Sequence, residues 1–149
     1  MASLLLQQQV LFDTCVYVKD KQKHGDVLRV LSKKLKKFRL RAAVPEIVLN
    51  EISKVTKDSR EKISEKVNRV FNGFTNIECT EEIKIEARRL EEKYYDCHSP
   101  DSIILATAKI HGSILVTLDT KLLRSAQLEG VDAYHLSDFM KFWRIQVDY

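Results

Sequence analysis

The sequence is poor in glycine and proline: 149 residues include only four glycines and two prolines. Flexible linkers are usually rich in these residues, so the low content argues against a long linker or an internal domain boundary. No internal repeat or low-complexity tract stands out. A chain of this length can bury a proper hydrophobic core. We therefore expect residues 1–149 to form a single domain.

Cysteine is also scarce and lacks any recognisable pattern. The chain has three cysteines, Cys15, Cys79 and Cys97, which is an odd number without a C-x-x-C spacing. This arrangement favours neither a disulfide framework nor a zinc knuckle. Because unpaired cysteines are typical of reducing compartments, we expect an intracellular, cytoplasmic protein.

Long apolar runs are missing as well. The opening MASLLLQQQ has three consecutive leucines and no basic residue before them, which is not the pattern of a signal peptide. No apolar run approaches the roughly 20 residues that span a bilayer. We therefore expect a soluble protein without a membrane partner.

The charge balance is only mildly basic. Lys+Arg number 25 and Asp+Glu 21, which gives a net charge of +4. This is compatible with a polyanionic partner but does not establish one. The segment RVLSKKLKKFRLR concentrates seven basic residues in thirteen positions. It is either a solvated helix face or a phosphate-binding surface, and the second reading would use Lys33, Lys34, Lys37 and Arg39.

Apolar periodicity predicts an alternation of strands and helices. Strand-like segments lie at 10–17, 40–44, 76–79, 113–118 and 131–136. Helical spacing is found over 24–38, after Pro45, and over 59–72, 80–95, 101–111 and 137–144. Alternation of this kind, with several strands that lack polar positions, indicates a parallel or mostly parallel sheet covered on both faces.

The clearest helix start is Ser99-Pro100-Asp101. A serine cap, a proline at the first helical position and an acid in the first turn all favour a helix beginning there. The following residues are apolar almost all round, which predicts a buried helix. Gly112 then predicts its end.

Four acidic residues occupy positions where a parallel sheet would bind a ligand, beyond the carboxyl ends of its strands. Asp13 is predicted within the later half of the first strand, and Asp119 follows the 113–118 strand. Asp101 starts a helix that the chain enters from the same rim, and Glu51 lies two turns into the helix after the second strand. Asp13 is the strongest candidate, because an acid inside so apolar a strand is costly without compensation.

Carboxylates that are forced together repel one another unless a cation compensates them. Mg²⁺ and Mn²⁺ are the ions that prefer all-oxygen ligands. Such an ion can activate water for attack on phosphorus and stabilise the charge on the leaving oxygen. The acids therefore predict hydrolysis of a phosphodiester.

The order of these motifs resembles that of the PIN-domain family of nucleases. The matching stretches are VLFDT with Asp13, VPEIVLNEI with Glu51, and SPDSIILATAKIHGSILVTLD with Asp101 and Asp119. The last two acids are 119 − 101 = 18 positions apart and enclose a helix of small residues and a strand that ends in Thr-x-Asp. The resemblance covers nearly the whole chain, and the toxins of the VapBC toxin–antitoxin type are the most similar members.

The resemblance implies a three-layer α/β/α sandwich with a mainly parallel five-stranded sheet, and Mg²⁺- or Mn²⁺-dependent cleavage of RNA. Asp13, Asp101 and Asp119 would be metal ligands, and Glu51 would bind the metal directly or through water. Thr14 and Thr117 would support the acids by hydrogen bonds. Cys15 departs from the family, since many members have serine or asparagine there.

The resemblance also implies partners. Short stand-alone members resemble toxins that form homodimers and are silenced by a small antitoxin covering the acidic site. Two other roles stay open: processing of ribosomal RNA, and a PIN-like module that binds RNA or assists assembly with little cleavage. Tyr94, Tyr95 and Trp143 could stack on bases, although aromatic residues at helical positions more often belong to a core or an interface.

Overall fold

A computed structural model of the protein describes residues 8–23 and 25–147, with side chains as far as Lys141. Its five strands form one sheet; they are β1 (Gln9–Phe12), β2 (Arg41–Pro45), β3 (Thr75–Ile77), β4 (Ile114–Thr117) and β5 (Ala133–His135). Every pairing is parallel, and the strand order is β3-β2-β1-β4-β5. This confirms the predicted fold class.

Eight helices connect or follow the strands within the described residues. They are α1 (Thr14–Gln22), α2 (Asp26–Lys37), α3 (Glu46–Thr56), α4 (Arg60–Phe71), α5 (Glu81–Lys93), α6 (Asp101–His111), α7 (Thr120–Leu128) and α8 (Leu136–Val147). None of these helices is long and apolar enough to cross a bilayer.

The two central strands are covered on both faces. All four residues of β4 are buried, and so are the last three residues of β1. Leu11 pairs with Leu115 and Phe12 with Val116, so the carboxyl ends of β1 and β4 lie side by side. Helix α6 is buried along most of its length, as its apolar sequence predicts. The residues that directly follow β1 and β4 therefore lie close together at one edge of the sheet.

The first strand is shorter than the sequence suggests. The β-branched and aromatic residues of VLFDTCVY favour a strand over 10–17, but β1 ends at Phe12 and α1 begins at Thr14. Asp13 causes the change of direction, because its side chain accepts the Thr14 N–H as a helix cap. Asp13 therefore lies just beyond the strand and not inside it.

The start of α6 also differs in detail. The helix begins at Asp101, with Pro100 in the cap position, and no side chain caps it, so the predicted serine cap is wrong. Its first turn is satisfied through the backbone, where Ser102 N donates to His98 O and Ile104 N to Pro100 O. Gly112 ends the helix at a φ of 63°, as predicted.

Candidate metal centre

The carboxyl ends of β1 and β4 form the floor of a cleft of about 400 Å³. Asp13 directly follows β1, and Asp119 lies two residues beyond β4. Asp101, the first residue of α6, enters from the same edge of the sheet. All three carboxylates line the cleft, together with residues of α1. The fold thus gathers three of the four predicted acids in one opening.

Asp13 is the most enclosed of the three acids, with 5% of its surface exposed. Its Oδ1 accepts the Thr14 N–H at 2.7 Å. Its Oδ2 accepts the Thr117 hydroxyl at 2.8 Å and the Cys15 thiol at 3.2 Å. Hydrogen bonds to a carboxylate compensate for its burial and fix its orientation. The orientation of Asp13 is therefore set before any ligand arrives.

Thr117 and Cys15 extend this support to the neighbouring strand. The hydroxyl of Thr117 also accepts the Asp119 N–H at 3.0 Å, so it connects two of the acids. The Cys15 sulfur accepts the Leu118 N–H at 3.4 Å. Burial, and then the charge of Asp13, raise the pKa of the Cys15 thiol to about 12, so the thiol stays protonated and can donate. Cysteine thus supplies a hydrogen bond where many family members have serine or asparagine.

Asp119 caps α7 and keeps one oxygen open. Its Oδ1 accepts the N–H groups of Lys121 at 2.9 Å and Leu122 at 3.3 Å. These are two of the donors that a helix start leaves without internal partners. Its Oδ2 accepts no hydrogen bond from the described residues. The helix therefore orients the carboxylate and leaves an oxygen available to the cleft.

Asp101 carries the electrostatic signature of the site. Burial first, and then the charges of Asp13, Asp119 and Glu51, raise the pKa of Asp101 to about 6, while His98 acts in the opposite direction. Glu51 is partly exposed, 3.8 Å from the ammonium of Lys54, and its charge still acts on Asp101. All four predicted acids therefore belong to one electrostatic neighbourhood.

The donor set of the cleft fits a hard divalent ion. No group of three Asp, Glu, His or Cys side chains among the described residues is close enough to hold an ion directly. Mg²⁺, however, commonly binds through one or two carboxylates and retains several waters. Burial and the neighbouring carboxylates raise the pKa of Asp101, and a cation in the cleft would favour its charged form. In addition, the buried Thr14 hydroxyl has no partner among the described residues.

The model of the PIN domain family matches residues 10–128, which is most of the chain and contains all four acids. The chain belongs to the PIN domain family. Membership supports a hydrolase of the nuclease type. No curated protein matches the sequence.

Solved structures similar to this PIN domain confirm the fold. VapBC2 from Rickettsia felis, bound to a DNA fragment from its promoter, is 19% identical with a TM-score of 0.67; the alignment covers 86% of this chain and 98% of that one. FitAcB from Neisseria gonorrhoeae is 17% identical with a TM-score of 0.64 and the same two coverages. A toxin–antitoxin complex from Klebsiella pneumoniae is 27% identical with a TM-score of 0.56, covering 75% and 88%.

The predicted basic surface lies away from the cleft of the PIN domain. None of Lys33, Lys34, Lys37 and Arg39 lines it. Lys34 donates to the Met140 carbonyl, and Arg39 lies just before β2, at the amino edge of the sheet opposite the acids. Of the two interpretations of this segment, only the phosphate-binding one requires these side chains to lie beside the acids. Clustering of charge in the sequence does not determine which edge of the sheet the charges occupy.

The basic residue that does line the cleft, Lys19, was missed. Its signal is the helical spacing Cys15, Val18, Lys19 and Gln22, which is visible only if 14–22 is read as a helix. The predicted stacking aromatics also separate: Tyr94 donates its hydroxyl to Glu129, while Tyr95 is 92% exposed. The side chain of Trp143 lies outside the described part of the chain.

Proposed function

We propose that this PIN domain is an endoribonuclease that hydrolyses RNA phosphodiester bonds with Mg²⁺ or Mn²⁺. The observation that supports this most strongly is that Asp13, Asp101 and Asp119 line one cleft, where burial and then the charges of Asp13, Asp119 and Glu51 raise the pKa of Asp101. Such repulsion is tolerated when a doubly charged cation compensates it. Family membership makes nucleic acid the substrate class.

In this proposal Asp13, Asp101 and Asp119 hold the ion, and Glu51 binds it directly or through water. When bound, the ion supplies Lewis-acid activation of water and of the phosphate. The chain's own residues keep the ligands in place: Thr117 and Cys15 hold Asp13, and the start of α7 holds Asp119. Such outer hydrogen bonds commonly change metal affinity by about 10- to 100-fold when removed.

Asp101 and Thr14 have separate parts in the site. Asp101 would release the proton it holds below about pH 6 when a cation enters, because metal ligands bind in their deprotonated form. The Thr14 hydroxyl is buried and has no partner among the described residues, so Thr14 supports Asp13 through its backbone N–H and not through the side chain that the sequence predicts. Asp13 keeps a fixed orientation throughout.

We further propose that the chain is the cytoplasmic toxin of a toxin–antitoxin pair, acts as a homodimer and is silenced by a small antitoxin over the cleft. The support is that similar solved structures come from VapBC2 and from a toxin–antitoxin complex, and that this chain covers 98% of the first. The open cleft, which three of the acids line, offers such a partner a surface to cover.

The nuclease is tested by comparing wild type with Asp119→Asn on structured and single-stranded RNA, with Mg²⁺, Mn²⁺ or EDTA. We expect wild type to cleave only with metal and the variant to lose activity by about 100-fold or more, since loss of an outer partner of a metal ligand alone costs about 10- to 100-fold. Asp132→Asn is the matched control, because Asp132 is exposed and precedes β5 at the opposite edge of the sheet. Cleavage in EDTA, or an undiminished Asp119→Asn, would reject the mechanism.

The toxin role needs its own experiment, which is purification of the tagged chain from its natural host. We expect a small companion to co-purify and to suppress cleavage, and its removal to restore cleavage. Accumulation of unprocessed ribosomal RNA in cells that lack the chain, with no companion recovered, would favour the RNA-processing role instead.

A further inference from the structure

A second hollow, of about 500 Å³, lies at the amino edge of the sheet, where α2 and α4 end and β2 begins. Three cations from three different elements line it: Lys36 of α2, Arg41 of β2 and Arg69 of α4. No aspartate or glutamate of the described residues belongs to its lining. We call it the basic hollow. It contains part of the basic segment that the acidic cleft does not use.

Arg41 is held in place by its neighbours. Its Nε donates to the Thr75 hydroxyl at 2.7 Å, which connects β2 to β3. Its Nη1 and Nη2 atoms lie beside the turn after α4, where a Cβ added at Gly73 would stand 3.8 and 3.9 Å from them. Within the described part of the chain these two atoms have no hydrogen-bond partner. A guanidinium fixed through Nε can therefore donate from both Nη atoms to one anion.

Helix ends explain two of the three cations but not the third. Lys36 and Arg69 belong to the last turns of α2 and α4, where a cation is favourable beside the carbonyl end of a helix. Arg41 is the first residue of a strand, so no helix end accounts for it. Each helix end carries roughly half a negative charge, so the three cations exceed these two ends by about two charges.

The rest of the lining indicates what kind of anion would fit. Leu35, Leu40 and Phe71 give the hollow an apolar side, and Asn72 adds an amide. The volume of about 500 Å³ lies within the range of small-ligand sites, roughly 300–1,000 Å³. A site with cations on one side and apolar groups on the other suits a phosphate that is joined to a flat, weakly polar body.

The balance of charge favours a phosphate monoester over a nucleic-acid backbone. A monoester carries about −1.5 to −2 at pH 7, which matches the excess of about two positive charges in the hollow. A backbone carries one charge per nucleotide and spaces these charges along its length. Cations that converge from three elements on one hollow fit the concentrated charge better.

We propose that the basic hollow binds a nucleoside monophosphate, with its phosphate on Arg41, Arg69 and Lys36. The base would lie against the apolar side, at Leu40 and Phe71. This site is separate from the acidic cleft, and the proposal does not depend on the nuclease function.

The test is calorimetric titration with AMP, adenosine, inorganic phosphate and the dinucleotide ApA. EDTA is present, so that no divalent ion in the acidic cleft can hold a phosphate. We expect AMP to bind and the other three to bind about tenfold more weakly or less. Adenosine lacks the phosphate, inorganic phosphate lacks the base, and ApA has a diester with a single charge. Adenosine, inorganic phosphate or ApA binding as tightly as AMP would overturn the proposal.

Substitutions then locate the site. Arg41→Gln is expected to weaken AMP binding about tenfold or more, as loss of a hydrogen bond to a charged group predicts. Arg41→Lys keeps the charge but not the paired N–H geometry, so we expect a smaller loss. Arg69→Gln should weaken binding as well, and it leaves the hydrogen bond between Arg41 and Thr75 in place. AMP affinity unchanged in both glutamine variants would place the ligand elsewhere and contradict the proposal.

Arg60→Gln is the matched control. Arg60 is exposed at the start of α4, about 14 Å along the helix from Arg69, and it does not line the basic hollow. Its loss removes the same charge, so AMP affinity should stay within about twofold of wild type. An equal loss in Arg60→Gln and Arg69→Gln would reduce the effect to net charge and overturn the proposal.

Two further outcomes would also overturn it. One is wild-type protein that does not bind AMP at millimolar concentration. The other is a single-stranded RNA that binds more tightly than AMP and depends equally on Arg41, which would make the hollow a nucleic-acid surface. Failure of the nuclease is recognised separately, because it shows as absent metal-dependent cleavage and leaves AMP binding in EDTA unchanged.

Discussion

Thr117 connects two acids of the cleft through one buried hydroxyl. It donates to Asp13 Oδ2 and accepts the Asp119 N–H, so its removal changes both carboxylates. Valine has nearly the same shape but neither donates nor accepts. Loss of this one hydroxyl therefore affects the positions of both Asp13 and Asp119.

We expect Thr117→Val to lower Mn²⁺ affinity by about 10-fold and the free energy of unfolding by about 1–3 kcal/mol, since it leaves a buried donor and acceptor unpaired. Thr117→Ser should retain most of both. Calorimetric titration with Mn²⁺ and urea unfolding measure the two effects. Unchanged affinity in Thr117→Val would show that Asp13 needs no orientation by its neighbour.

Asp101 combines a functional role with a cost in stability. The pKa of Asp101 is about 6 in the folded protein, against an ordinary value of 3.8. Between these two pH values, Asp101 of the folded metal-free protein holds a proton that it lacks in the unfolded chain. The unfolding free energy of the metal-free protein should therefore rise as the pH falls from 7 toward 4.

Asp101→Asn removes this repulsion, and we expect it to stabilise the metal-free protein at pH 7 by on the order of 1–2 kcal/mol while abolishing cleavage. Its stability should also lose the rise toward acid pH. Urea denaturation in EDTA at several pH values gives the comparison. A variant that is less stable than wild type at pH 7 would mean that the acids do not repel one another.

At the scale of elements, the outer helices are joined by a charged cluster around Glu129. The carboxylate, 3% exposed, accepts from Arg89 at 2.5 Å, Lys109 at 2.8 Å and Lys93 at 2.9 Å. Tyr94 donates to it as well. Burial alone would raise the pKa of Glu129, but these hydrogen bonds outweigh it and hold the pKa well below its ordinary value. The cluster connects α5, α6 and the end of α7.

We expect Glu129→Gln to lower the unfolding free energy by about 1–3 kcal/mol at pH 7, because it removes the ion pairs of Glu129. The cost is not larger because the partly exposed cations regain water when the carboxylate is lost. The pKa of Glu129 is depressed, so its contribution is present above its ordinary pKa of 4.5 and is lost as the pH falls below that value. The difference in unfolding free energy between wild type and Glu129→Gln should therefore decrease as the pH falls below 4.5. A difference that is as large at pH 2 as at pH 7 would argue against an ionic origin.

The elements also show which parts of the structure can be predicted from sequence. Alternating segments predict the parallel sheet, and most helix and strand bounds lie within about two residues of those observed. The exceptions are α7, which was not among the predicted segments, and α1, where β-branched Thr14, Val16 and Val18 favour a strand locally. Local capping by Asp13 and the burial of Val16 in the core favour a helix instead, and the burial depends on tertiary packing.

The same limit applies to the candidate site. The acids could be placed at one edge because a parallel sheet brings its carboxyl ends together. The basic residues could not, because α2 carries Lys37 toward the amino edge while α1 presents Lys19 to the cleft. Distances between side chains, such as that between Thr117 and Asp13, depend on packing across 104 positions of sequence.

For the whole molecule, metal and proton should compete for the cleft. We expect Mn²⁺ to raise the melting temperature by several degrees at concentrations far above its Kd, as binding to the folded state alone requires. This shift should shrink as the pH is lowered through about 6, where Asp101 takes up a proton. Differential scanning fluorimetry at pH 5, 6 and 7.5 measures it. An equal shift at every pH would place the ion elsewhere.

The most direct measurement is a crystal structure with Mn²⁺, located by its anomalous scattering. We predict density within about 2 Å of at least one oxygen of Asp13, Asp101 or Asp119, with waters completing the coordination toward the others. Manganese bound only elsewhere, with this cleft holding water alone at saturating ion, would contradict the account.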